Sequence, residues 1–436
     1  MVTGWLIATS TVKIKVLRTG FIHMLTIHQA QAPNQKQTQS RIGLAIAGGG
    51  PVGAIYELGV LRALDESVNG LKLHELDIYV GVSSGAFMAA SLANGITTAE
   101  LCRIFMGQEY ASLKFEPESF LRPAYREYFQ RVKRLPSILT TTLLDMIRKP
   151  GQIGISHLIS ELGKIVPSGV FDNETIHNFL EQAFKITGRG NSFKNLDCEL
   201  YIVAVDLDSG ATVRFGSEGH QDVTISRAVQ ASAALPGLYP PVEIDGHYYV
   251  DGALRRTLHA SVALDEGADL LIGVNPLVPF DAGDKGQDNE ISDQKLTRGG
   301  LPLILSQTFR AMIQSRMEAG FRKYYTSHPF ADLVLLEPDR DDEEVFFTNI
   351  FSYASRQTLC EHAYQATRRD LLARSGKLNK VLKKRGMSMN MDLLRDEERS
   401  LEDSIGEGQT SHAALARGLS SALDDLDELL DDRKTG

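Results

Sequence analysis

Residues 41–47 (RIGLAIA) form a short apolar run that stops at three consecutive glycines, and residues 54–67 then place Ile55, Leu58, Leu61 and Leu64 at helical spacing. That pattern predicts a strand, a glycine turn and a helix. Residues 77–82 repeat the plan: a short β-branched run, a turn over 81–85, and a helix of small residues over 86–93 that Asn94-Gly95 stops. Strand-turn-helix units in series predict an α/β fold built on a parallel sheet. Further strands are predicted at 200–206, 212–216, 242–244, 248–250, 270–275 and 333–336. Asp208-Ser209-Gly210 and Asp245-Gly246 carry hairpin turn chemistry, so the sheet should be mixed beside those strands.

The same patterning divides the chain. Residues 1–40 read as a flexible lead-in, rich in Gln with Pro33 and Asn34 near its end. A globular part is predicted over 41–385, with its core in 41–275, a helical insertion over 101–187, and a helical and strand part over 276–385. Within the insertion, Phe115, Phe120, Tyr125, Tyr128 and Phe129 lie among Arg and Lys, which fits a solvated face or a cap that touches a membrane surface transiently. Residues 386–436 turn acidic. There Leu415, Leu419, Leu423, Leu426 and Leu430 mark an amphipathic helix, either solvated or engaged by a protein partner.

Composition narrows the function classes. A net charge of -9 over 436 residues argues against nucleic acid as a partner, because phosphate neutralisation needs clustered Lys and Arg. Cys102, Cys198 and Cys360 are widely spaced and odd in number, which suggests neither a disulfide framework nor a zinc knuckle. No export signal is legible, and no apolar run reaches the roughly 18 residues of a membrane-spanning helix. The expectation is a cytoplasmic protein that meets membranes from outside.

Chemistry concentrates in three segments. Gly81-Val82-Ser83-Ser84-Gly85 places a serine between a strand and a helix, with Gly81 and Gly85 allowing close approach on either side of Ser83. Gly48-Gly49-Gly50-Pro51-Val52-Gly53 also follows a strand and opens a helix. Gly48, Gly50 and Gly53 fit the dinucleotide fingerprint G-x-G-x-x-G, but that use needs an acidic residue at the exit of the next strand, where Gly81-Val82-Ser83 stands instead. As a hydrolase element, the same run would turn the amides of Gly48, Gly49 and Gly50 toward an oxyanion. The third segment is AVQASAALPGLYPPVEIDGHYYVDGA (228–253), in which Asp251-Gly252 follows a short strand. A serine hydroxyl needs a base within hydrogen-bond reach, and Asp251 is the candidate.

In this order, G-G-G-x-x-G, G-x-S-x-G, A-S-x-A-x-P and D-G-A resemble the patatin-like phospholipase family over residues 41–263. The resemblance implies a three-layer α/β/α fold with a mostly parallel central sheet. It also implies a Ser83–Asp251 dyad without histidine, an oxyanion hole at Gly48, Gly49 and Gly50, and supporting roles for Gly53, Gly81, Gly85 and Gly252. The substrates implied are phospholipids, lysophospholipids or neutral glycerolipids, cleaved through an acyl-enzyme with no cofactor and no metal. The family's glycine motif usually carries Arg or Lys where this chain has Val52. Two alternatives stay open: a catalytically inactive lipid-binding or scaffold protein, and an ordinary Ser-His-Asp esterase using His259, His328 or His362, which follow Asp251 in the chain. His259 is expected on the helix after Asp251, at the surface or as a cap.

Overall fold

The computed structural model of the chain describes residues 24–31, 40–106, 122–125, 168–186, 188–280, 300–347 and 353–406. The predicted units appear as β2 (Ile42–Ile46) followed by α1 (Gly50–Ser67), and β4 (Ile78–Gly81) followed by α2 (Ser84–Ala93). Helix α1 starts earlier than its apolar spacing indicates, since Pro51 fits the first turn, where no amide bond is lost. Strands β2, β4, β5 (Glu199–Asp206), β9 (Leu270–Val274) and β10 (Asp332–Leu336) form the parallel centre of a nine-stranded sheet. Antiparallel strands β1 (Leu25–His28), β6 (Thr212–Phe215), β7 (Val242–Ile244) and β8 (His247–Asp251) complete it. Both predicted hairpins form, and Asp245 at φ 51° with Gly246 at φ 82° makes the turn between β7 and β8.

Alternate residues of the central strands feed two cores. Leu44, Ile46, Tyr79, Ile202 and Ile272 pack with α1, α2, α3 (Thr98–Phe105), α5 (Ile225–Ser232) and α9 (Tyr353–Lys383). Ala45, Val80, Val203, Leu271 and Leu335 pack with α6 (Ser261–Asp265) and α7 (Gly300–Ser327). Helices on both faces of one sheet make three layers, as predicted.

The edge of β5 positions the site. Ala204 and Val205 pair with β6 and with β8, while Ile202 pairs with β6 and with β4, so β4 and β8 lie end to end along one edge of β5. Running parallel, β4 ends at Gly81 opposite Ile202; running antiparallel, β8 ends at Asp251 opposite Ala204. Their carboxyl ends meet across Val203.

Two boundaries differ from the sequence prediction. Within the stretch read as a lead-in, β1 pairs with β10, and Leu25 is fully buried. Beyond residue 385, β11 (Ser388–Met389) pairs with β3 (Val68–Asn69), and α10 (Met391–Arg395) and α11 (Leu401–Gly406) pack on the core through Leu394, Leu401 and Ile405. The acidic composition of that stretch hides the few apolar anchors that dock it. The insertion is described at its borders, by α3 and α4 (Glu174–Ile186), and at 122–125 and 168–173; the rest of its aromatic part over 114–149 and the amphipathic helix over 415–430 lie outside the described residues.

Candidate active site

Ser83 occupies the turn between β4 and α2 with φ 54° and ψ −121°, a left-handed conformation that costs a serine energy and lifts its hydroxyl out of the sheet. The turn is tight because glycines flank it. A Cβ on Gly85 would lie 2.3 Å from the Ile46 carbonyl oxygen, and one on Gly81 would lie 2.5 Å from Ala86 Cα. Ser83's amide donates to Ser232 Oγ at 2.9 Å, and the Ser232 hydroxyl donates to the Val203 carbonyl at 2.6 Å. Ser232 is the serine of the A-S-x-A-x-P motif, which the sequence reading quoted without giving it this task.

Asp251 is 2% exposed, and the Ser83 side chain lies close enough to act on its carboxylate. Its amide bonds the Ala234 carbonyl at 3.0 Å, and its Oδ1 accepts from the Ala253 amide at 2.8 Å. Burial pushes the carboxyl up to about 6, against the opposing pull of the Ala253 amide and the Ser83 side chain. At neutral pH it is therefore ionised yet more basic than an ordinary aspartate. Gly252 lets the chain leave at once: a Cβ there would sit 2.3 Å from the Val203 carbonyl oxygen.

The glycine run lies directly against the serine. A Cβ on Gly48 would fall 2.7 Å from Ser83 Cβ and 3.5 Å from its Oγ, so any side chain there would press on the hydroxyl. Gly50, at φ 62°, swings the chain into α1. One expectation changes: the Gly49 amide donates to Ser84 Oγ at 2.8 Å and is turned inward, away from an oxyanion role. The reason is the serine after Ser83, whose hydroxyl faces the loop and accepts from it. Among the described residues the amides of Gly48 and Gly50 make no hydrogen bond, which leaves them available as donors. Gly53 supports the turn, donating to the Gly49 carbonyl at 3.1 Å and packing on Pro276. Behind the loop, Ser84 donates to the buried carboxyl of Glu57 at 3.2 Å, a group that sequence reasoning missed.

The histidines are placed elsewhere. His259 is buried at φ 45° ahead of α6, not on the surface, with Nε2 3.4 Å from the Gly252 carbonyl oxygen. Burial pulls its pKa down to about 4, so it is neutral. His328 Nε2 lies 3.1 Å from Asp265, and His362 sits between Asp342 at 2.6 Å and Glu344 at 2.9 Å. At the tips of two hairpins, Asp206, Asp208 and His247 bring possible ligand atoms within 4.8 Å of one another, a grouping the sequence reading did not see. Asp206 is already engaged there, by the Ser209 amide at 2.8 Å and hydroxyl at 3.0 Å.

A serine on a strained strand-to-helix turn lies beside a buried carboxylate and under a glycine loop, on a three-layer sheet of the α/β hydrolase class. The chain belongs to the patatin-like phospholipase family, whose profile matches residues 44–264. An uncharacterized protein of Acanthamoeba polyphaga mimivirus is 26% identical over 243 residues, covering 55% of this chain and 67% of that protein. Patatin-like phospholipase domain-containing protein 7 of Rattus norvegicus is 25% identical over 240 residues, covering 55% of this chain but only 14% of its own length. Among solved structures, VipD from Legionella pneumophila aligns with 80% of this chain and 70% of its own, at 15% identity and a TM-score of 0.37.

Proposed function

We propose that this chain hydrolyses carboxylic esters of lipids, with Ser83 as nucleophile and Asp251 as base. The observation that carries the reading is the meeting of β4 and β8 on β5, which sets Ser83 beside a buried, basic carboxylate. Asp251 takes the proton as Ser83 Oγ bonds to the ester carbonyl carbon, and the amides of Gly48 and Gly50 hold the oxyanion. Collapse breaks the bond to the alcohol, which leaves with the proton returned by Asp251. Water, deprotonated by Asp251 in turn, then cleaves the acyl-serine. The amino-terminal ends of α1 and α2 add favourable partial charge at this place. Phospholipids, lysophospholipids and neutral glycerolipids are the substrate class, and Val52 in place of a basic residue weakens any dependence on an anionic head group. No helix among the described residues is long and apolar enough to cross a membrane.

The test is fatty-acid release from mixed micelles of phosphatidylcholine and, separately, diacylglycerol by wild type, Ser83→Ala and Asp251→Asn. Both variants are expected to lose activity by about 10³-fold or more while melting as folded proteins. An Asp251→Asn variant with wild-type turnover would remove the dyad and return His259 to consideration.

A further inference from the structure

The dyad and its oxyanion donors leave one buried acid unused. Glu57, on α1, is 0% exposed. Its Oε1 accepts the Ser84 hydroxyl at 3.2 Å, and Ser84 Oγ accepts the Gly49 amide at 2.8 Å. Its Oε2 is buried with no hydrogen-bond partner. The relay thus joins the middle residue of the glycine loop to the residue that follows the nucleophile. Gly48 and Gly50, the loop residues with free amides, flank the one that the relay holds.

Burial raises the Glu57 carboxyl well above the ordinary range, and the Ser84 hydrogen bond lowers it only partly. Neither α2, α9 nor the segment after β9 brings a charged group that alters its titration; Ser84 is the one polar group acting on it. Among the described residues no cation stabilises the anion, so the neutral acid is the form that fits this pocket. A negative charge here would also stand behind the loop on which a second negative charge develops.

We propose that Glu57 is a positioning residue of the oxyanion loop: as a neutral acid it holds Ser84 Oγ, which holds the Gly49 amide and so presents the Gly48 and Gly50 amides to the reacting carbonyl. This rests on the Ser83–Asp251 reading above and adds a second ionisation to it. Activity rises as Asp251 ionises near pH 6 and falls again at the higher pH where Glu57, raised by burial, ionises, giving a bell whose upper limb belongs to Glu57.

The experiment is kcat and KM for p-nitrophenyl butyrate between about pH 5 and pH 10, with the full chain and its Glu57→Gln, Glu57→Leu and Ser84→Ala variants. Gln keeps a neutral acceptor for Ser84, so kcat at neutral pH should stay within about twofold of wild type and the upper limb should vanish. Leu and Ser84→Ala should each lower kcat by about tenfold or more with KM little changed, and the double variant should be no worse than either single. A folded Leu variant with wild-type kcat, or a Gln variant with the wild-type upper limb, overturns the inference. If Leu fails to fold, the Gln profile decides alone. An inactive wild type with unlabelled Ser83 would instead sink the dyad, so the two failures are distinguishable.

Discussion

Asp251 shows what the site costs the fold. Its carboxyl stands at about 6 against an ordinary 3.8, so the folded state binds a proton more tightly than the unfolded one. The sign follows from linkage: above the folded value the buried charge destabilises, by about 3 kcal/mol, and below the unfolded value this cost is gone. Asp251→Asn should therefore melt at a higher temperature than wild type at pH 8, with the gap closing as pH falls through 6 toward 4. Thermal denaturation across that window checks it, and a variant less stable than wild type at pH 8 contradicts it. Ser83 and Asp251 were legible in the sequence because each sits in a short motif with a physical purpose. Glu57 was not, although it shares a helical stripe with Leu61 and Leu64. Counting only apolar positions passes over a lone acid on a buried face.

At the level of elements, period and punctuation located eight strands and α2 to within two residues, since strand, turn and helix signals agreed locally. The strands that escaped are short. The four residues of β1 and the two each of β3 and β11 are too few for alternation to register, and their pairing partners lie far away in the chain. The inward turn of the Gly49 amide escaped for another reason: it depends on where Ser84 on α2 points, and no spacing rule reports that. Helix α2 is seated against β2 through Gly85, whose missing side chain admits the Ile46 and Ala47 carbonyls. Gly85→Ala should cost at least about 3 kcal/mol, because the obstacles are backbone atoms that cannot rotate away. Urea denaturation reads this directly. A loss below about 1 kcal/mol would mean that the helix can slide on the sheet.

For the molecule as a whole, the site is a product of register. Two motifs 168 positions apart (83 to 251) come together because a parallel and an antiparallel strand share one edge of β5 and end on either side of Val203. Sequence order supplied the parts and the expectation of a mixed sheet, but not this shared edge, which only the pairing of Ile202 and Ala204 reveals. The same arrangement leaves His259 beneath Gly252 as a neutral packing residue, with His328 and His362 held by acidic partners. The central claim is that Ser83 is activated by Asp251 alone. Reaction with a fluorophosphonate, followed by intact mass and peptide mapping, tests it most directly. The account predicts a single adduct on Ser83, absent in Ser83→Ala, formed about 10²-fold or more slowly in Asp251→Asn, and formed at the wild-type rate in His259→Gln. An adduct on another residue, or labelling that depends on His259 and not on Asp251, would contradict it.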